Sequence, residues 1–156
     1  LATGLLEEGA ADMDAQAFAT RTEELAASFE FDVYTDTASV SARFLTENRE
    51  QAVDLLRLSL VEPTFPQDAI DRVRAQVLSG LRGDEKDPNA IAGRTFKASA
   101  FGDHPYGSNR AGTVESVAAL TRDDIVAAHK AALARDRLYV AVVGDITEAE
   151  LFGNSV

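Results

Sequence analysis

His104 and His129 are the two histidines of this 156-residue sequence, and they are the first candidates for metal binding or acid–base chemistry. Neither belongs to a local metal-binding spacing, such as two histidines four residues apart on one helix face. His129 lies in AAHKAA, within an amphipathic helical pattern, and we expect it to be solvated or half-buried without a function. His104 precedes a proline, which favours extended backbone, and we expect its ring to hold a loop rather than contact a substrate.

The stretch FGDHPYGSNRAG, residues 101 to 112, places three glycines, a proline and a histidine between two segments with helical patterns. The glycines favour a turn, while the histidine leaves a part in catalysis open. No lysine followed by serine or threonine closes the stretch, so it does not match a phosphate-binding loop. No serine of the chain lies in a nucleophile-elbow pattern. The residues therefore favour neither nucleotide binding nor a hydrolase triad.

Glu7 and Glu8 are adjacent carboxylates that could be interpreted as a general acid and base. Adjacent positions of a helix face about 100° apart, so the pair cannot easily share one site. The segment LATGLLEEGA is typical of the last turns of a helix, with Gly9 just after its C-cap. We therefore expect both carboxylates at a solvated helix terminus, and we expect RGDEKD, residues 82 to 87, to form a solvated turn.

The composition excludes several classes of partner. The chain has 15 basic and 26 acidic residues, and its formal net charge of −11 opposes the phosphate contacts on which nucleic-acid binding depends. The same charge gives no support for binding to anionic membranes. No apolar run approaches the ~20 residues that a membrane span requires. We expect no nucleic-acid partner and no membrane span.

The length fits one domain, residues 1–156, or a piece of a larger protein. The first residue is not methionine and the chain opens inside a helical pattern, so we expect a fragment or a processed product. The absence of cysteine removes disulfides, thiolate chemistry and cysteine-ligated zinc. It leaves cytoplasm and periplasm both open.

The elements that must position these residues are mainly helices. Five helices are predicted. The first is capped by Asp14 and runs to about Ser28, and its apolar stripe is Phe18, Leu25, Ala26 and Phe29. The second covers ENREQAVDLLRLSLV, with Val53, Leu56 and Leu60 at helical spacing, and the third covers 67–82, with Ile70, Val73, Val77 and Leu81. The fourth is started by Asp87 and Pro88 and carries Ile91 and Phe96, and the fifth covers TRDDIVAAHKAALA and is opened by the capping pair Thr121 and Asp124. Pro63 and Pro66 separate the second helix from the third.

Three strands are predicted from alternating or continuous apolar residues: Phe29–Thr35, Ser39–Thr46 and a buried strand at Leu138–Val143. The first two form a hairpin through TDTA. Helices and antiparallel strands in this order, without regular strand–helix–strand alternation, predict an α+β fold in which helices cover an antiparallel sheet.

Three motifs together resemble the insulinase and pitrilysin-type zinc peptidases, which include the mitochondrial processing peptidase. They are EPTF at residues 62–65, the FGDHPYG loop with its following glycine, and VVGD at residues 142–145. The resemblance extends over nearly the whole chain. It implies an α+β half that pairs with a similar half around a chamber in which unfolded peptides are cut. It also implies that further strands of the sheet precede Leu1, and that the FGDHPYG loop is a family landmark rather than the zinc site.

The catalytic helix of that family bears H-x-x-E-H, with two histidines on zinc and a glutamate that activates the metal-bound water. Matching EEGA to the segment after that helix puts Thr3 at the catalytic glutamate and Gly4 at the second histidine. The distal ligand, a glutamate in the family, falls at Gly80. The resemblance thus implies that this chain has lost its catalytic group at Thr3 and its metal ligands at Gly4 and Gly80. We expect no cofactor in this chain, and Gly4 and Gly80 close together on facing helices.

The resemblance implies a non-catalytic subunit or half that shares peptide substrate with a zinc-bearing homologous partner. Two alternatives are a structural scaffold subunit that handles no peptide and, less favoured, an autonomous zinc endopeptidase. Because bacterial relatives of this kind are often exported, the resemblance suggests the periplasm. An unpaired sheet edge left without its upstream strands further predicts self-association.

Overall fold

The computed structural model describes residues 2–153 and has seven helices and four short strands in that part of the chain. The helices are α1 Ala15–Glu24, α2 Arg49–Val61, α3 Gln67–Asp84, α4 Pro88–Phe101, α5 Val114–Ala119, α6 Arg122–Ala132 and α7 Glu148–Gly153. The strands are β1 Gly9–Ala10, β2 Met13–Asp14, β3 Ser28–Val33 and β4 Ala38–Arg43. Four 3₁₀ turns connect them, at Thr3–Leu5, Thr46–Asn48, Pro105–Gly107 and Arg135–Arg137. Within these residues no helix is both long and apolar enough to cross a membrane.

The strands form two antiparallel pairs, β1 with β2 and β3 with β4. In the larger pair Ser28 lies opposite Arg43 and Val33 opposite Ala38. The predicted hairpin is therefore confirmed, with each strand ending two or three residues earlier than expected. The α+β class with antiparallel strands and covering helices is confirmed as well.

Local capping explains where several helices begin. The Asp14 carboxylate accepts a hydrogen bond from the Ala17 amide at 2.8 Å, and α1 starts immediately after it. Asp87 caps α4 in the same way, with Pro88 in the first turn. At α6, Thr121 and Asp124 form the reciprocal capping box that the sequence predicts.

Two clusters of buried apolar side chains stabilise the fold. One lies where α3 and α6 meet the chain's N-terminal turn, and the other lies between α1, α2 and β3. Their buried members are Leu5, Leu6, Phe65, Ala69, Ile70 and Ile125 in the first, and Ala10, Phe18, Leu25, Phe29, Ala52 and Leu55 in the second. Phe31 packs against both clusters, so the hairpin joins them.

Three expectations about elements are wrong. Helix α1 ends at Glu24 rather than near Ser28, because Ala26 has a φ of +47° that a helix cannot continue through. Gly9 does not cap a helix but lies in β1, after the 3₁₀ turn Thr3–Leu5. Residues 138–143 form no strand and are not buried: Tyr139 is 96% and Val143 101% exposed. Strand formation needs a neighbouring strand to accept its hydrogen bonds, and the described sheets place none beside this segment.

Candidate functional site

The site that the sequence proposes begins at the 3₁₀ turn Thr3–Leu5, which carries Thr3 and Gly4 and packs on α3, the helix that carries Gly80. A Cβ atom at Gly4 would lie 3.6 Å from Cγ1 of Val73. Gly80 follows Val73 by seven residues, or about 10 Å along the helix. The structure therefore brings the two elements together, and the close approach of Gly4 and Gly80 themselves stays a prediction.

These three positions offer almost nothing to a metal ion. Thr3 contributes one hydroxyl, while Gly4 and Gly80 have no side chain. A Cβ atom at Gly80 would meet no atom within 4 Å, so this position faces open space. Across residues 2–153 no group of three or more histidine, cysteine, aspartate or glutamate residues is arranged to hold a metal ion. The donor set at Thr3, Gly4 and Gly80 does not fit tetrahedral zinc, which needs nitrogen, sulfur or carboxylate ligands.

The carboxylates closest in sequence are engaged elsewhere. Glu8 accepts two hydrogen bonds from the Arg72 guanidinium, at 3.0 and 2.6 Å, and its side chain is only 17% exposed. The expectation of a fully solvated terminus is therefore wrong for Glu8. Partial burial, and secondarily the charge of Glu8, raises the pKa of Glu7 above its usual value. The two carboxylates have different surroundings and do not act as a free pair.

The EPTF turn fixes the position of the N-terminal segment. The Ala11 amide donates to the Glu62 carbonyl at 2.9 Å, and the Thr64 amide donates to the Gly9 carbonyl at 3.1 Å. Between these bonds Ala10 forms a β-bridge with Pro63. This motif therefore pairs with β1 through one isolated β-bridge and ties the segment that follows Thr3–Leu5 to the start of α3.

The other side of the same turn is bound by α6. Arg122 donates from Nε to the Phe65 carbonyl at 3.2 Å and from a terminal nitrogen to the Thr64 carbonyl at 3.0 Å. Nε2 of His129 lies 2.9 Å from the Leu60 carbonyl oxygen, and its ring meets Phe65 edge-on at 5.5 Å. His129 is half-buried, as expected, and its ring contacts join α6 to Leu60 and Phe65.

The FGDHPYG loop is a turn, as the resemblance implies. Nδ1 of His104 accepts a hydrogen bond from the Tyr106 amide at 3.2 Å, so this ring caps the 3₁₀ turn Pro105–Gly107. Gly102 adopts a φ of +52°, which favours glycine. Tyr106 donates from its hydroxyl to Asp36 at 2.7 Å, across 70 residues of sequence. The loop therefore serves structure, and the Tyr106–Asp36 bond has no signal in the sequence because its partners belong to separate turns.

A surface depression on the described part of the chain lies elsewhere. It has a volume of about 460 Å³ and is lined by Met13 and by one face of α1. None of Thr3, Gly4 and Gly80 contributes to it. A shallow depression against one helix does not constitute an enclosed ligand pocket.

Comparisons with known proteins identify relatives in one family. No family model matches the sequence. The non-peptidase homolog YmxG of Helicobacter pylori is 30% identical over 142 residues, which are 91% of this chain and 33% of that protein. The uncharacterized zinc protease ML0855 of Mycobacterium leprae is 34% identical over 110 residues, 70% of this chain and 25% of that protein. This chain thus spans about a third, or less, of the relatives it matches.

A solved structure agrees with these sequence relatives. The peptidase M16 inactive domain from Pseudomonas fluorescens superposes with a TM-score of 0.78 at 32% identity, over 82% of this chain and 32% of that one. The helix-rich α+β fold, with its small antiparallel sheets, is thus of the M16 peptidase type. The chain belongs to the insulinase and pitrilysin-type zinc peptidase family.

Proposed function

We propose that this chain is part of a non-catalytic half of an M16-type peptidase and that it forms a peptide-binding chamber with a zinc-bearing homologous half. The observation that carries the proposal is the chemistry at Thr3, Gly4 and Gly80: one hydroxyl and two glycines stand at the positions that the resemblance aligns with a catalytic glutamate and two zinc ligands. A single hydroxyl cannot assemble a tetrahedral zinc site. The inactive M16 domain among the structural relatives supports the same interpretation.

The fold supports retention of the half without its catalytic groups. Thr3 and Gly4 lie next to Leu5, which is fully buried in the first apolar cluster. The segment is therefore anchored by apolar packing and by the EPTF turn, and no metal ligand is needed to hold it. A half of this kind contributes a stable wall to a chamber, while hydrolysis takes place on the partner.

Metal content is the first test. The purified protein is incubated with one equivalent of Zn²⁺, desalted and analysed for bound metal, with a zinc-bearing M16 subunit as the positive control. We expect no stoichiometric zinc. One bound zinc ion per chain, together with peptidase activity that chelators abolish in this chain alone, would establish the autonomous zinc endopeptidase and refute the proposal.

Partner-dependent cleavage is the second test, and it separates a peptidase half from a scaffold. The chain is co-expressed with an H-x-x-E-H protein from the same organism, and cleavage of a fluorogenic, unstructured peptide is measured for each protein alone and for the pair. The control replaces the glutamate of the partner's motif with glutamine. Cleavage that needs both chains supports the proposal, whereas a stable complex with no gain in cleavage favours the scaffold alternative.

We also propose that the exposed segment 138–143 associates with another strand, in a second copy of this chain when no other partner is available. Its apolar side chains and its unpaired backbone are the surfaces that strand pairing would cover. Light scattering at micromolar concentration tests this. We expect association that Val140→Lys weakens and that Val61→Lys leaves unchanged, since both valines are 66% exposed. A monomer at all concentrations would contradict the proposal.

A further inference from the structure

Residues 82–116 form the longest described stretch in which no side chain is buried. Leu81, at the end of α3, is 6% exposed, and Val117, in α5, is 4% exposed. Between these anchors α4 carries large apolar side chains, yet Phe96 is 69% and Phe101 44% exposed. An amphipathic helix is normally held to its protein by the apolar face that it buries. Helix α4 lacks that attachment.

The stretch is nevertheless well ordered within itself. The Asp87 carboxylate caps α4, and Arg94 donates to the Asp84 carbonyl at 3.1 Å. At the other end the Tyr106 ring meets Phe101 edge-on at 5.8 Å and His104 at 4.7 Å. These contacts join residues no more than ten positions apart. They make α4 and the turn Pro105–Gly107 one unit, which we call the α4 arm. Apart from the Arg94 bond to Asp84, the last residue of α3, they do not tie this arm to the rest of the molecule.

One described hydrogen bond does tie it. Among the hydrogen bonds and ion pairs of residues 88–110, the Tyr106–Asp36 bond is the one that reaches a residue outside the neighbouring turns. Asp36 lies at the tip of the β3–β4 hairpin, where the Tyr34 amide donates to the Thr37 carbonyl at 2.8 Å. The bond has good length for a phenol donating to a carboxylate, and it lies between two exposed side chains.

We propose that the α4 arm is a hinged element that swings as a unit about its two anchored ends, and that the Tyr106–Asp36 hydrogen bond is the latch that holds it against the hairpin tip. Loss of the latch leaves both anchors intact, because Leu81 and Val117 stay buried. The arm then moves without unfolding α3 or α5. This inference goes beyond the proposed pairing and concerns this chain by itself.

Hydrogen exchange measured by mass spectrometry tests the latch. Tyr106→Phe removes the hydroxyl alone and keeps the ring contacts, and Tyr139→Phe is the matched loss of a hydroxyl from a 96% exposed tyrosine. We expect Tyr106→Phe to raise the exchange rates of amides in α4 and in the turn 34–37 by about three- to tenfold, as the loss of one ordinary hydrogen bond predicts. Exchange in α3 and in the second apolar cluster should stay unchanged.

A distance measurement distinguishes swinging of the arm from fraying of the helix. The chain has no cysteine, so spin labels at Lys97→Cys in the arm and Thr20→Cys in α1 report one distance only. We expect Tyr106→Phe to broaden this distance distribution while the helical circular dichroism stays constant. Equal distributions with and without the hydroxyl, unchanged exchange, or faster exchange that includes α3 would each overturn the proposal.

Discussion

Gly9 is a position at which the structure predicts a sharp loss of stability from a single methyl group. Its φ of +141° lies in a region that is essentially restricted to glycine, and this residue is buried. A Cβ atom there would lie 2.6 Å from Oγ1 of Thr64 and 2.9 Å from the Met13 carbonyl oxygen. Both distances are shorter than normal van der Waals contact, so Gly9→Ala requires backbone strain and displacement of neighbours together.

The expected cost can be divided between these two causes. The backbone conformation accounts for about 1–3 kcal/mol. The overlap with packed neighbours adds about 1–3 kcal/mol, as other insertions into close-packed regions do. We therefore expect Gly9→Ala to lower the free energy of unfolding by about 2–6 kcal/mol. Thr64→Ala removes only the contact with Oγ1, so in that background the cost of Gly9→Ala should fall by about 1 kcal/mol and should not vanish.

Urea denaturation followed by far-ultraviolet circular dichroism measures these differences. Gly80→Ala is the matched control, because it adds the same methyl group in α3 where no atom lies within 4 Å. Helix propensity predicts that this control stabilises the protein by about 0.5–1 kcal/mol. The reasoning is refuted if Gly9→Ala costs less than about 1 kcal/mol, or if Thr64→Ala restores full stability, since the backbone strain would then be absent.

Three further predictions concern single side chains. The hydrogen bond to Asp36 raises the pKa of Tyr106, so ultraviolet titration should find this pKa above that of an ordinary tyrosine, and Asp36→Ala should remove the shift. The stabilising contribution of this hydrogen bond is present at lower pH and is lost as pH rises through the raised pKa. Hydrogen bonds from Thr147 lower the pKa of Glu150 to about 2, so NMR titration should find this low pKa, and Thr147→Ala should raise it. The stabilising contribution of the ionised Glu150 carboxylate is present above pH 4.5 and is lost towards pH 2. His129→Ala should cost about 1–2 kcal/mol in urea denaturation, and His129→Phe less, because it keeps the ring contact; equal costs would contradict this.

The features that sequence predicts well are those determined within a few residues. Asp14, Asp87 and Thr121 each cap the helix that follows, because a cap needs only its own side chain and the next amides. The β3–β4 hairpin follows from alternation on either side of a polar turn. The loop-holding role of His104 and the half-burial of His129 follow from their local settings, although the partners of these rings do not.

The buried face of α2 illustrates a limit of periodicity. The sequence predicts a stripe of Val53, Leu56 and Leu60, whereas the buried residues are Ala52, Leu55 and Ser59. The helix contacts β1 and buries the small residues Ala52 and Ser59, which allow its backbone to approach closely. The wide apolar surface of α2 permits either rotation, and only its neighbours determine which face is covered.

Long-range polar contacts are the second limit. Arg72 and Glu8 are 64 residues apart, and Tyr106 and Asp36 are 70 apart. No spacing rule connects such residues, since their approach depends on the completed fold. The strand predicted at residues 138–143 was wrong for a related reason: its side chains have the composition of a strand, but pairing depends on a neighbour that the described sheets do not place there.

The relation between fold and site explains how an M16-type half can keep its architecture after its catalytic chemistry is gone. In the proposed alignment Gly80 faces open space, and Thr3 and Gly4 are not among the buried residues. The burial that holds this region comes instead from Leu5, Phe65 and their neighbours, and none of these donates a metal ligand. The ligand positions and the buried positions are different residues. Selection that keeps the buried apolar residues therefore leaves the ligand positions free to change. Under the proposed function, loss of the ligands removes hydrolysis while the apolar packing of the fold is retained.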